Sequence, residues 1–101
     1  MYFGKKQRER KINMRLDKFL KVSRLIKRRS LAKEIAEQKR IKVNNNIAKP
    51  SVNVEIGDEI EITFGRSMVT VKVLEVKEHV RKNEATELYE VIKEEKMNSD
   101  E

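Results

Sequence analysis

The sequence predicts an α+β domain in which two packed helices precede a small, twisted, mainly antiparallel sheet of four or five strands. Three observations predict it. Apolar residues recur with the 3.6-residue period of a helix before residue 38, and with the two-residue period of a strand after residue 41. The turn formers Asn44 to Asn46, Pro50, Gly57 and Gly65 fall between the alternating segments. A length of 101 residues leaves room for one domain with a small core.

The elements follow in order. Residues 1–13 are polar, basic and without periodicity and read as a flexible arm, with Met14 an alternative start. Residues 15–28 read as an amphipathic helix that presents Leu16, Phe19, Leu20, Val22, Ser23 and Ile26 to a core. On this reading Lys18, Lys21, Arg24 and Arg28 share the opposite side with Asp17. Ser30 is the expected N-cap of a second helix from Leu31 to about Gln38, whose narrow stripe of Leu31, Ala32, Ile35 and Ala36 permits close approach to the first. At about two turns, that helix depends on tertiary packing.

Ile41-Lys42-Val43 alternates as a short strand, Asn44-Asn45-Asn46 suits a tight turn, and Ile47-Ala48 can return as a second strand. Lys49-Pro50-Ser51 is extended, because proline biases its predecessor away from helix. Gly57-Asp58 turns the chain into a hairpin of Glu59 to Phe64 and Met68 to Val76, joined by Gly65-Arg66-Ser67. Residues 77–87 read as polar loop with room for one helical turn, Leu88 to Ile92 as a last strand, and residues 93–101 as a frayed acidic tail. The expected organisation is an arm (1–13), a domain (14–76), a C-terminal extension with the last strand (77–92) and the disordered tail (93–101).

Charge sets the partner class. Charged residues make up 41% of the chain, against about 25% in an average soluble domain. Residues 1–49 hold 17 Lys/Arg and 4 Asp/Glu, whereas residues 50–101 hold 7 and 13. So dense a run of like charge destabilises a fold unless something neutralises it, which points to a polyanion. The absence of cysteine excludes disulfides and thiolate chemistry, and His79 alone cannot build a histidine metal site or a triad with Ser23, Ser30, Ser51 or Ser67. No glycine-rich phosphate loop exists, so no cofactor, metal or catalytic residue is expected. No apolar run reaches the roughly 18 residues of a membrane span, and a cytoplasmic, non-membrane protein is expected.

Arg15-Leu16-Asp17-Lys18-Phe19-Leu20, then Arg29-Ser30-x-Ala32, Ile41-x-Val43-Asn44, Lys49-Pro50-Ser51 and Gly57-Asp58 resemble the S4-type RNA-binding domain over about residues 14–65. The resemblance implies an S4-like (alpha-L) fold. From Met14 to Glu95 the chain is similar to stand-alone members, the fifteen-kilodalton heat-shock protein family and, more closely, the ribosome-associated quality-control factor P (RqcP) family. That likeness implies binding to large-subunit rRNA, with helix 69 of the 23S rRNA a candidate element, and to peptidyl-tRNA on stalled, split subunits. It implies support of C-terminal alanine tailing by an NEMF-family partner (RqcH), with recycling of blocked large subunits as the heat-shock alternative. A monomer is expected. Where members often carry glycine, this chain has Lys39 after helix two and Asn45 in the turn. A left-handed Lys39 costs about 1 kcal/mol, so the helix is expected to end by another route.

The residues support RNA binding without the resemblance. Packing helix one on helix two is expected to gather Lys18, Lys21, Arg24, Lys27, Arg28, Arg29 and Lys33 into one contiguous region, lysines as point charges and arginines as two-pronged phosphate ligands. Ser30 and Lys49 join the candidates from the motif, and the resemblance marks Arg15, Asp17 and Arg29 for ribosome contact. Asp17 has two readings: it pairs with Arg29 or Arg15 and orients them, or it accepts an RNA 2′-OH or base edge. None of the five aromatics lies outward in the basic stretch, so shape recognition of folded RNA is favoured over base stacking. Two other classes remain: an accessory domain of an RNA-modifying enzyme, which the length disfavours, and a membrane-surface or DNA-binding protein. Against the membrane, helix one spends its apolar face on the core and carries no Trp anchor.

Overall fold

The computed structural model describes residues 13–96. In chain order it contains β1 (Asn13–Arg15), α1 (Leu16–Val22), α2 (Arg29–Glu37), β2 (Ile41–Val43), β3 (Asn46–Ile47), β4 (Asn53–Glu55), β5 (Glu59–Phe64), β6 (Ser67–Val73), a 3₁₀ helix (Lys82–Leu88) and β7 (Tyr89–Lys96). Five strands form one antiparallel sheet in the order β3-β2-β5-β6-β7, and β1 pairs with β4 as a separate two-stranded ribbon. The α+β architecture is the one the two periodicities imply.

One apolar core joins the layers. Leu16, Phe19 and Leu20 of α1 meet Ala32 and Ala36 of α2 and Ile41, Ile60, Ile62, Val71 and Val73 of the sheet. Each large side chain buried this way contributes about 1.5–3 kcal/mol. The two alanines remove bulk where the helices touch.

Helix α1 is half as long as its apolar pattern suggests. It stops at Val22 because Ser23 is buried and turns its polar atoms inward: its hydroxyl donates to the Leu20 carbonyl (3.3 Å) and accepts the Leu25 N–H (3.4 Å). Arg24 then takes a left-handed φ of 64°, and Ile26 returns to the core from an irregular turn. At its other end α1 has no side-chain cap. The Leu16 and Asp17 N–H groups donate to the carbonyls of Val52 (2.7 Å) and Pro50 (3.1 Å), so the 49–52 segment satisfies the orphan donors.

Helix α2 begins at Arg29, with Arg28 in the N-cap position, so Ser30 is its second residue and not the cap. Leu31 is exposed, and the buried stripe narrows to Ala32 and Ala36. The helix ends through Lys39 at φ 64°, with Lys39 N–H on the Ala36 carbonyl and Arg40 N–H on the Ile35 carbonyl. This is the left-handed termination that glycine normally supplies, adopted by lysine in place of the different route expected.

Asn44 (φ 52°) and Asn45 (φ 72°) make the two-residue turn between β2 and β3. The Asn44 side chain also accepts the Glu59 N–H (3.0 Å) and donates to Asp58 (3.2 Å), which ties that turn to the start of β5. Gly65, at φ 51°, turns β5 into β6. Strand β7 carries a register shift opposite Thr70/Val71 and runs to Lys96, so residues 93–96 are paired strand and not frayed tail. Residues 97–101 and the arm as far as residue 12 lie outside the described residues.

Candidate RNA-binding surface

The surface is organised around a buried carboxylate. Asp17, on the second residue of α1, is fully buried although its position suggested the exposed basic side. Arg15 Nε donates to Asp17 Oδ1 (3.3 Å) and Arg15 Nη2 to Oδ2 (3.1 Å), while Arg29 Nη2 lies 3.3 Å from Oδ1. The two arginine side chains remain 45% and 43% exposed. A carboxylate held this way pre-orders two long side chains that would otherwise lose rotamer freedom on binding. The structure pairs Asp17 with both Arg15 and Arg29.

The expected cations line three recesses, two of which share Lys27. Arg15, Lys33 and Lys49 share a groove of about 500 Å³ with Lys39, Ile47 and Pro50. Lys49 reaches it because the 49–52 backbone crosses the start of α1. Lys27, Arg28 and Ser30 line a smaller hollow of about 300 Å³ with Leu31 and Glu34. Lys21, Arg24 and Lys27 line a groove of about 460 Å³ together with Glu78, His79 and Val80 of the loop before the 3₁₀ helix. The early end of α1 takes Arg24 and Lys27 off the helix line.

Lys18 is placed differently from the rest. It pairs with Glu78, 60 residues away, and donates a hydrogen bond to it. That hydrogen bond and the ammonium charge hold the Glu78 carboxyl below the usual carboxylate range. Sequence reasoning did not single out Lys39, Glu78 or His79 for this surface. In the sequence Lys39 reads only as a turn residue, and no periodicity connects residue 78 to residue 18.

Among the described residues no group of three or more His, Asp or Glu could hold a metal ion, and no helix is long and apolar enough to cross a membrane. A two-helix unit backed by a small antiparallel sheet, with arginines fixed at the helix starts, defines an S4-domain protein, and the S4 domain model matches residues 14–60. The chain is 62% identical over 88 residues to the RQC P-site tRNA stabilizing factor of Halalkalibacterium halodurans, covering 87% of this chain and 100% of that protein. It is 58% identical over 84 residues to the factor of the same name in Bacillus subtilis, covering 83% and 98%. Among solved structures it resembles the trimeric Heat Shock Protein 15 of Vibrio cholerae, with a TM-score of 0.73 and 36% identity over 79% of this chain and 82% of that one. The chain belongs to the family of the RQC P-site tRNA stabilizing factors.

Proposed function

We propose that the chain is a non-enzymatic, cytoplasmic RNA-binding factor of the large ribosomal subunit. It binds rRNA, at helix 69 of the 23S rRNA, together with peptidyl-tRNA on stalled, split subunits, and it supports C-terminal alanine tailing beside the NEMF-family protein RqcH. The observation that carries the RNA-binding part is the Asp17 carboxylate between Arg15 and Arg29, which fixes two half-exposed guanidiniums in one place. Fixed guanidiniums recognise phosphate geometry, as a folded RNA backbone demands. The P-site tRNA named for the relatives supports the tRNA part. The chain works as a single copy, unlike the trimer described for the Vibrio cholerae protein.

The likeness to that heat-shock protein favours a second reading, recycling of large subunits blocked by nascent chain-tRNA. One experiment separates them. A tagged copy is followed through a salt-controlled gradient, and the material travelling with it is analysed. Tailing predicts large subunits carrying tRNA and RqcH, and loss of alanine tails when the chain is deleted. Recycling predicts large subunits with tRNA but without RqcH, and unchanged tails. A chain that stays at the top of the gradient at low salt overturns both.

A further inference from the structure

The groove between the end of α1 and the loop before the 3₁₀ helix is built from two segments more than fifty residues apart. Lys21, Arg24 and Lys27 form one wall, and Glu78 and His79 the other. Val22 and Val80, both half-buried, pack on the core beneath it. The three cations are spaced three residues apart in sequence and share the wall because Arg24, at φ 64°, turns the chain where the helix ends. No acidic residue lies between Lys18 and Arg29. The one carboxylate lining the groove, Glu78, is already engaged by Lys18. Among the described residues the wall's cations have no acidic partner, and they stand beside an exposed imidazole, which carries at least one N–H donor in either tautomer. An open trough of about 460 Å³ with such a lining fits a run of phosphodiester backbone better than a compact small molecule.

The matched S4 residues end at 60, and Glu78 and His79 lie beyond them. We propose that the extension completes a second RNA-backbone groove, with His79 a contact residue and the Lys18–Glu78 ion pair positioning the loop that carries it. The proposal rests on the RNA-binding reading above and deepens it: Lys18 acts through Glu78 and not on a phosphate, and RNA meets the chain at two places, the Asp17-ordered arginines and this groove.

His79 is the only histidine in the chain, so its ring gives one assigned signal in a proton–carbon NMR spectrum. The full chain is titrated with a short RNA stem-loop and with bulk tRNA, while anisotropy of the labelled RNA reports affinity. The expected result is a displaced His79 ring signal, about three- to tenfold weaker binding by His79→Ala, and partial recovery by His79→Asn, which keeps an N–H donor. Glu78→Gln decides the role of the ion pair by sign. A positioning role weakens binding about two- to fivefold, whereas a merely repulsive carboxylate strengthens it on removal and overturns that part. Circular dichroism checks that each variant is folded. If RNA binds and Arg29→Ala weakens it while His79 stays silent, the groove is overturned and the RNA-binding reading stands. If no RNA binds, both fall. If polyglutamate at equal charge displaces the RNA and moves the ring as far, the phosphodiester assignment is overturned.

Discussion

Arg29, the first residue of α2, closes an ion pair on Asp17, the second residue of α1, with Nη2 3.3 Å from Oδ1 of a carboxylate that has no exposed side-chain surface. The pair spans the junction between the helices, so it belongs to folding and to recognition together. Burying the carboxylate costs desolvation, which the guanidinium contacts of Arg15 and Arg29 offset. Because both arginines stay half exposed, removing Asp17 frees them into water and leaves no stranded charge.

Asp17→Ala is therefore expected to lower stability by about 1.5–3 kcal/mol, the range for hydrogen bonds to charged groups, and not by the larger loss of a wholly buried pair. In large-subunit sedimentation, Arg15→Ala and Arg29→Ala should each weaken association about ten- to a hundredfold, and Arg66→Ala, in the distant hairpin turn, much less. If Asp17 acts by orienting Arg29, the double change Asp17→Ala/Arg29→Ala should cost little more than Arg29→Ala. Additive losses would make Asp17 an RNA contact in its own right.

How much of this the sequence discloses varies with the range of the interaction. Leu16, Phe19 and Leu20 declare the core face of α1 because three close apolar positions can share only one side of a helix. The Asn44-Asn45 turn is readable for a similar reason: both residues tolerate positive φ and sit between alternating segments. The burial of Asp17 is not readable, since a carboxylate among lysines looks solvated until the position of Arg29 is known. Strands β1 and β4 are equally silent, being three residues each and defined only by pairing Asn13 to Glu55 across the chain. The end of α1 turns on the Ser23 hydroxyl, which the apolar arc passes over.

Lys39 gives a stability test that leaves the core untouched. It holds φ 64° at the end of α2, where a side chain costs about 1–2 kcal/mol and glycine almost nothing. Lys39→Gly should stabilise the chain by up to about 1 kcal/mol, because glycine's larger unfolded-state entropy takes back part of the gain. In thermal unfolding this is a rise of roughly 4–8 °C per kcal/mol. Lys39 also lines the groove with Arg15, Lys33 and Lys49, so the same variant should bind RNA slightly less well while being more stable.

Salt dependence tests whether the basic surface is used at all. If about four to six phosphates are neutralised, log affinity for RNA should fall with log salt at a slope of roughly −3 to −5. Arg29→Ala should make the slope shallower by roughly one. A slope near zero in the unmodified chain would mean that its cations are merely solvated.

The last test concerns Glu78. The hydrogen bond from Lys18, and then its charge, hold the Glu78 carboxyl below the usual carboxylate range. The sign follows from linkage. A carboxyl whose folded value is depressed contributes its stabilisation above the unfolded value and loses it as pH falls through the folded value. The Lys18 pair should therefore be intact at neutral pH and persist into acid beyond the point at which an ordinary glutamate is half protonated. Side-chain carboxyl NMR through an acid titration reads this directly, with Glu78 titrating below the usual carboxylate range. Lys18→Met removes both causes and should return Glu78 to the ordinary range, with little change in thermal stability because the pair is at the surface. A Glu78 that titrates in the usual carboxylate range in the unmodified chain would show that Lys18 does not hold it in solution.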